Sequence, residues 1–315
     1  MADRRRLVLP SRLRSRAGLL AVSLGALLWG TAGVSVQIIH ERSGLSAVPI
    51  GFLRLGIAGV AVFAVRGLRG VRAAVAVTRA DPWVVAGAGV GLGAYQALYF
   101  IGVQDVGVSV STLISLAVAP VALTVVAAVR RRRLPALLQV GTVVVAVAGL
   151  VLISLRPGSG SGSHPLIGLG ASFLSGLGYA ATTILNRRLV RRADPLLLAG
   201  LTSAIGAIVL LPLAVASGLY WPSDALSGGY LGYVGVVTTV AAYGLFFTGL
   251  RTTPSETAGV LTLLEPLAAA VLAALVLHES LSGLGVVGAV LMLAAIAGLY
   301  LRAPEVEPHE AVTAA

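Results

Sequence analysis

The sequence predicts an all-α integral membrane protein of ten transmembrane helices, arranged as two inverted five-helix repeats. Three observations lead there. Of the 315 residues 57% are hydrophobic and 11% charged, with a mean hydropathy of +0.95, leaving too little polar surface for a soluble domain of this length. Apolar runs of roughly 20 residues, the length that crosses a bilayer core, recur along the whole chain. The arginines gather in alternate gaps between those runs.

A basic N-terminal segment (1–16) precedes the first repeat, residues 17–155. Its spans run Ala17 to Ile39, Ala47 to Val65, Trp83 to Val103, Val108 to Val129 and Ala136 to Leu155. The linker 156–165 holds Arg156-Pro157-Gly158-Ser159-Gly160-Ser161-Gly162-Ser163, which has no apolar content and reads as flexible. The second repeat, residues 166–302, spans Leu166 to Leu185, Leu196 to Ala216, Tyr230 to Leu250, Glu256 to Leu277 and Leu281 to Leu301; a tail of 303–315 follows. With the N-terminus inside, 20 arginines fall in inside segments and two, Arg42 and Arg156, in outside loops. That asymmetry fixes an inner (plasma) membrane orientation with both termini cytoplasmic. The first span is longer than a signal-peptide apolar region, so it is expected to be retained as a helix.

Five spans per half make the second half enter from the opposite face. The order of features repeats: Tyr99-Phe100-Ile101-Gly102 precedes a span with Ala119-Pro120, and Phe246-Phe247-Thr248-Gly249 precedes one with Glu265-Pro266. Inverted repeats around a midplane site are a device of secondary transporters.

Composition also excludes chemistry. With no Cys, thiolate metal sites, iron–sulfur ligation and cysteine nucleophiles are out. All 23 basic residues are Arg, so there is no Walker A lysine and no lysine Schiff base for a cofactor. The net charge of +11 sits between apolar runs and not on one face, which is an insertion pattern and not a nucleic-acid footprint. Gly89-Val90-Gly91-Leu92-Gly93-Ala94 has the spacing of a dinucleotide motif but lies within a span, where its glycines instead permit close helix approach. His40, His164, His278 and His309 lie outside or at the edges of spans, leaving no intramembrane dyad or metal cluster. The expectation is a non-enzyme without cofactor or metal, whose partners are a small-molecule solute and the lipid bilayer.

Two ionisable residues lie within apolar runs, where a charge costs roughly 2.5–3.5 kcal/mol or more. Arg54 is about 10 Å into its span, so its role is either structural or orienting, or the pairing of substrate or a carboxylate. Glu265 is about 14 Å into its span, near the middle of a roughly 30 Å core. It is either a cross-helix hydrogen-bonding residue or a working carboxylate. Pro266 is expected to free the Thr262 carbonyl beside it, and Pro120 the Leu116 carbonyl in the other half, so both spans are expected to be broken. Trp29, Tyr95, Gln96, Tyr99, Tyr179, Asn186 and Tyr243 are further polar or aromatic side chains within spans.

Leu28-Trp29-Gly30, Pro49 with Phe52 and Arg54, Pro120, and Glu265-Pro266 followed by Leu277-His278-Glu279-Ser280-Leu281 resemble the EamA type of the drug/metabolite transporter superfamily over nearly the whole chain. The acidic residue common in that family after span 4 is replaced here by Arg130 to Arg133. The resemblance implies a cavity walled by spans 1, 3, 4, 6, 8 and 9, and hence Trp29, Tyr95, Tyr99, Tyr179 and Tyr243 as solute-binding residues, to which the depth of its charge adds Glu265. Arg54, Pro120 and Pro266 join Glu265 as coupling or structural residues. An exporter of amino acids or related metabolites is the leading reading, with a passive facilitator and a non-transporting scaffold or receptor as alternatives.

Overall fold

In a bilayer every backbone N–H and C=O must be satisfied within the protein, which for this chain leaves helices. The computed structural model describes residues 11–154, 164–276 and 282–301, and among these every regular element is helical. The N-terminal Arg4 to Arg6, most of the linker, the Leu277 to Leu281 segment and the C-terminal tail lie outside the described residues. The elements are α1 (Ser11–Ser43), α2 (Ala47–Ala80), α3 (Pro82–Arg131), α4 (Leu137–Ser154), α5 (Pro165–Leu189), α6 (Pro195–Ala216), α7 (Ala225–Gly235), a π-helical turn (Val236–Ala241), α8 (Ala242–Leu250), α9 (Ser255–Leu261), α10 (Leu264–Val276) and α11 (Gly283–Leu301). Among the described residues, nine helical runs are long and apolar enough to cross a membrane.

Two of these helices are broken at glycine. The 50-residue α3 contains Gly107 at φ 81°, ψ 163°, a conformation open to glycine because it has no Cβ. In a straight helix residues 99 and 112 would stand roughly 20 Å apart. Here the Tyr99 hydroxyl is 2.7 Å from Thr112 Oγ1, and Ser111 Oγ donates to the Tyr99 carbonyl at 3.2 Å. The chain therefore doubles back at Gly107, and the expected loop between the third and fourth apolar runs shrinks to one residue. Gly67, at φ 53°, ends the apolar part of α2. The stretch beyond it carries Arg69, Arg72 and Arg79 on its exposed surface.

Glycine also sets which helices touch. A Cβ on Gly93 would lie 2.6 Å from Val209 Cβ and 2.7 Å from the Gly206 carbonyl, so α3 and α6 meet backbone to backbone; Gly87 and Gly91 face Leu185 and Thr182 of α5. The overlapping small-residue pairs in α3 thus serve two neighbours at once. Gly149 and Gly288 bring α4 against α11, and Gly18, Gly25 and Gly249 bring α1 against α8. Gly59 and Gly200 do the same for α2 and α6.

The prolines divide. Pro120 is buried within a helical stretch of α3 and produces no break. The ninth apolar run is interrupted, at Thr262 and Leu263 between α9 and α10. Pro266 is the third residue of α10, where a missing N–H costs nothing. The Thr262 carbonyl accepts from the Glu265 N–H at 3.0 Å, so the free acceptor expected there is absent.

Gly93→Ala is expected to destabilise the protein by about 1–3 kcal/mol through overpacking. Gly56→Ala, whose Cβ would meet nothing within 4 Å, should be neutral or gain up to about 1 kcal/mol of helix propensity. Thermal unfolding of the two variants in detergent measures the contrast; equal midpoints would contradict the packing account.

Candidate functional site

Midway along the bundle the aromatic side chains of four helices converge. Trp29 of α1 packs against Tyr243 and Phe246 of α8, with ring centroids 4.9 and 5.1 Å apart. Tyr95 of α3 stands edge-on to Tyr179 of α5 at 5.6 Å. The two pairs are joined by hydroxyls, Tyr95 to Tyr243, at 3.0 Å. The π-helical turn lies just before Tyr243; Thr238 and Thr239 both donate to the Val234 carbonyl there, at 2.8 Å, which absorbs the extra residue in the turn. Such π turns recur at functional sites.

The charges flank this cluster. Arg54 Nη2 donates to Gln96 Oε1 at 2.7 Å. Gln96 is buried, and its Nε2 has no hydrogen-bond partner among the described residues, a vacancy that costs about 1–3 kcal/mol. Glu265 opens α10 beside the break and is half-buried. The Glu265 backbone is held against α1: a Cβ on Gly30 would lie 2.7 Å from its carbonyl and 2.5 Å from Ala268 Cβ. The buried Tyr179 hydroxyl approaches Thr262 and Thr183 without a hydrogen bond of standard geometry; those two hydroxyls donate to the Gly259 and Tyr179 carbonyls.

Trp29, Tyr95, Tyr179, Tyr243, Arg54 and Glu265 therefore share one neighbourhood. Tyr99 sits at its edge, beside Phe100 and tied to Thr112. Pro120 and Pro266 lie along the adjoining helices: Pro120 abuts Gly259, at 3.3 Å from an added Cβ, and Pro266 follows Glu265. Reading the sequence alone leaves Phe246 and Thr262 unassigned, because a Phe or Thr in an apolar run carries no mark of which face it takes. Chemically, the set offers a cation with an unsatisfied amide donor, a carboxylate, and an aromatic wall between them.

Residues 16–155 and 166–301 each match the model of the EamA-like transporter family. The chain belongs to the EamA-like transporter family. Its relatives include the uncharacterized transporter YwfM of Bacillus subtilis (strain 168), 31% identical over 207 residues, 65% of this chain and 69% of that one. The uncharacterized transporter YetK of the same organism is 28% identical over 142 residues, 44% of this chain and 43% of that one. A solved crystal structure shares the fold, with a TM-score of 0.73 over 92% of this chain and 98% of that chain at 18% identity. This EamA-type protein is thus a multi-pass membrane transporter whose two family repeats abut the linker on either side.

In this EamA-type transporter the hydroxyl contact between Tyr95 and Tyr243 joins the two repeats. Tyr95→Phe and Tyr243→Phe should each cost about 0.5–1.5 kcal/mol of stability, and the double variant no more than either one. A double-mutant cycle on thermal unfolding reads the coupling; strictly additive losses would contradict the contact.

Proposed function

We propose that this transporter is a secondary exporter of amino acids or related small metabolites, working by alternating access around the aromatic cluster, with Glu265 as a proton-coupling carboxylate. The observation that carries the reading is geometric: Tyr95 and Tyr243 join the two halves by their hydroxyls, Arg54 is held beside Tyr95 through Gln96, and the Glu265 carbonyl packs against Gly30, next to Trp29. An α-carboxylate suits Arg54 with the unpaired Gln96 Nε2, a cationic amine suits Glu265, and an apolar side chain suits Trp29, Tyr95, Tyr179 and Tyr243.

Ten spans in two inverted repeats fit the packing. The reversal at Gly107 supports dividing α3 into spans 3 and 4, since 50 helical residues would be more than twice the length a bilayer core needs. Numbered so, span 2 packs on 7 and span 5 on 10, span 1 on 8 and 9, and span 6 on 3 and 4. Exchanging each span for its counterpart five places along leaves that set unchanged, as a pseudo-two-fold relation requires. The arginine distribution supports an inner-membrane protein with both termini cytoplasmic. The domain division at 17–155, 156–165 and 166–302 follows from the same reading.

At the arginine-rich end ion pairs tie one half to the other: Arg66 to Asp194 at 2.7 Å, Arg188 and Arg192 to Asp81 at 3.0 and 2.9 Å, and Arg131 to Glu256 at 2.6 Å. Within the second half, Arg251 donates to the Val190 and Ala193 carbonyls. At the other end Arg42 reaches Asp224 at 3.3 Å, and Tyr220 donates to the Ser43 carbonyl. Ties at both ends are what a carrier exchanges as it alternates.

Glu265→Gln keeps the shape of the side chain but fixes it neutral. In reconstituted vesicles the variant is expected to exchange solute for solute while losing accumulation driven by a pH gradient; undiminished pH-driven accumulation would leave Glu265 a structural residue. A phosphatase fusion after Gly218 should be active and one after Arg192 inactive; the reverse would refute the orientation.

A further inference from the structure

A second concave site lies at the arginine-rich end, away from the aromatic cluster. It is a cleft of about 340 Å³ between the second half of α3, α5 and α9. Its rim is Arg130, Arg131, Arg187, Arg188 and Arg191, and its one acidic residue is Glu256. Arg131 holds Glu256 at 2.6 Å, and Arg188 is engaged with Asp81. Among the described residues, neither Arg130 nor Arg191 has a carboxylate within salt-bridge distance. The cleft thus carries more guanidinium charge than its carboxylates neutralise, in a concave wall where planar, multi-donor groups suit oxyanions.

Three features show what this charge faces. The apolar residues that α3 turns outward over this stretch are Val121, Val125 and Val129, each about half exposed or more. The cleft is lined instead by Leu123, Val126 and Ala127, with Leu123 only 1% exposed. Its floor therefore lies on the inner side of the bundle, turned away from acyl chains. Leu123 seals the floor against Gly259, whose added Cβ would lie 2.7 Å from Leu123 Cδ1. Finally, Glu256 of the cleft and Glu265 beside the aromatic cluster are nine residues apart, on either side of the break between α9 and α10, so one interrupted run serves both sites, on the order of 14 Å apart at a helical rise.

We propose that this cleft is the receiving site for a small soluble oxyanion, a carboxylate- or phosphate-bearing solute, and that the entering anion competes with Glu256 for Arg131. The inference rests on the reading of the protein as a solute carrier. Glu256 is the internal anion that this arginine set holds when no solute is present. Its displacement loosens the tie between α3 and α9 directly above the Leu123–Gly259 seal. Basic solutes are repelled from this entrance, so the site selects by charge before the aromatic cluster is reached.

The test uses the purified full chain in uncharged detergent, with ionic strength held constant by chloride. Inorganic phosphate and succinate are titrated while thermal unfolding is followed. Saturable stabilisation by both is expected. The Arg130→Gln, Arg191→Gln double variant should bind them at least roughly tenfold more weakly, while the paired control Arg69→Gln, Arg72→Gln is unchanged. Glu256→Gln should bind them several-fold more tightly, because the internal competitor is gone. Should that buried change prevent folding, the double arginine variant decides alone. Equal affinity in the double variant and the wild type would overturn the proposal, as would equal affinity in a folded Glu256→Gln. Stabilisation by phosphatidylglycerol but by neither soluble anion would also overturn it, in favour of a lipid headgroup. Transport without anion binding defeats this inference and leaves the proposed function standing; anion binding without any transport does the opposite.

Discussion

The structure depends on helix backbones approaching closely in a solvent that gives apolar side chains no reason to associate. Lipid tails are as apolar as leucine, so contact area alone does not hold one span against another. What remains is dispersion between closely fitted surfaces and the few hydrogen bonds that cross between helices. Glycine supplies the first: at Gly93, Gly149, Gly249 and Gly288 there is no room for even a methyl group. Serine supplies the second. Ser115 donates to the Ser172 carbonyl, Ser172 to Ser111 Oγ, and Ser175 to the Tyr95 carbonyl, fastening α5 along both arms of α3. Positioning of the aromatic cluster follows, because Tyr95 and Tyr179 ride on the surfaces so joined.

Polar groups are sorted by depth. Near the ends of the bundle, arginines meet carboxylates and bridge the halves, with at least one partner in water, where such pairs contribute little to stability and can be exchanged at low cost. In the middle, Arg54 meets a neutral amide and Glu265 sits among tyrosines. Separate charges there, neither with a salt-bridge partner among the described residues, hold open the kind of interaction that a zwitterion completes. Strong central pairing would have favoured a fixed core over a carrier.

Much of this was legible in the sequence because a bilayer imposes a length and a charge rule that composition exposes directly. The apolar runs located the helices, a charge within such a run picked out Arg54 and Glu265, and the family resemblance picked out Trp29, Tyr95, Tyr99, Tyr179 and Tyr243; the fold places these near one another, with Tyr99 at the edge. The prolines were harder to read. A proline in an apolar run signals a missing N–H, but whether that breaks a helix depends on where the helix begins. Pro120 lies inside an unbroken stretch and Pro266 in a first turn, so the interruption near Glu265 falls at Thr262 and Leu263 instead. Gly107 went unremarked for a related reason: among 39 glycines, nothing in its neighbours distinguishes the one that reverses the chain from those that pack. The cleft of arginines was hidden because residues 130, 187 and 256 are distant in sequence, and each alone looks like an ordinary cytoplasmic charge.

The reversal at Gly107 bears on how the protein is made. With a single residue at the apex, there is no loop to rest in the aqueous space while the following helix is synthesised. The two arms of α3 enter the bilayer as one helical hairpin, drawing Gln104 and Asp105 across with the tip. The arginines at 79 and at 130 to 133 lie at the two feet of that hairpin, which under the proposed orientation is the side of synthesis. On that reading the two helices insert as a pair, and a larger residue at position 107, strained at φ 81°, is expected to lower the yield of inserted protein.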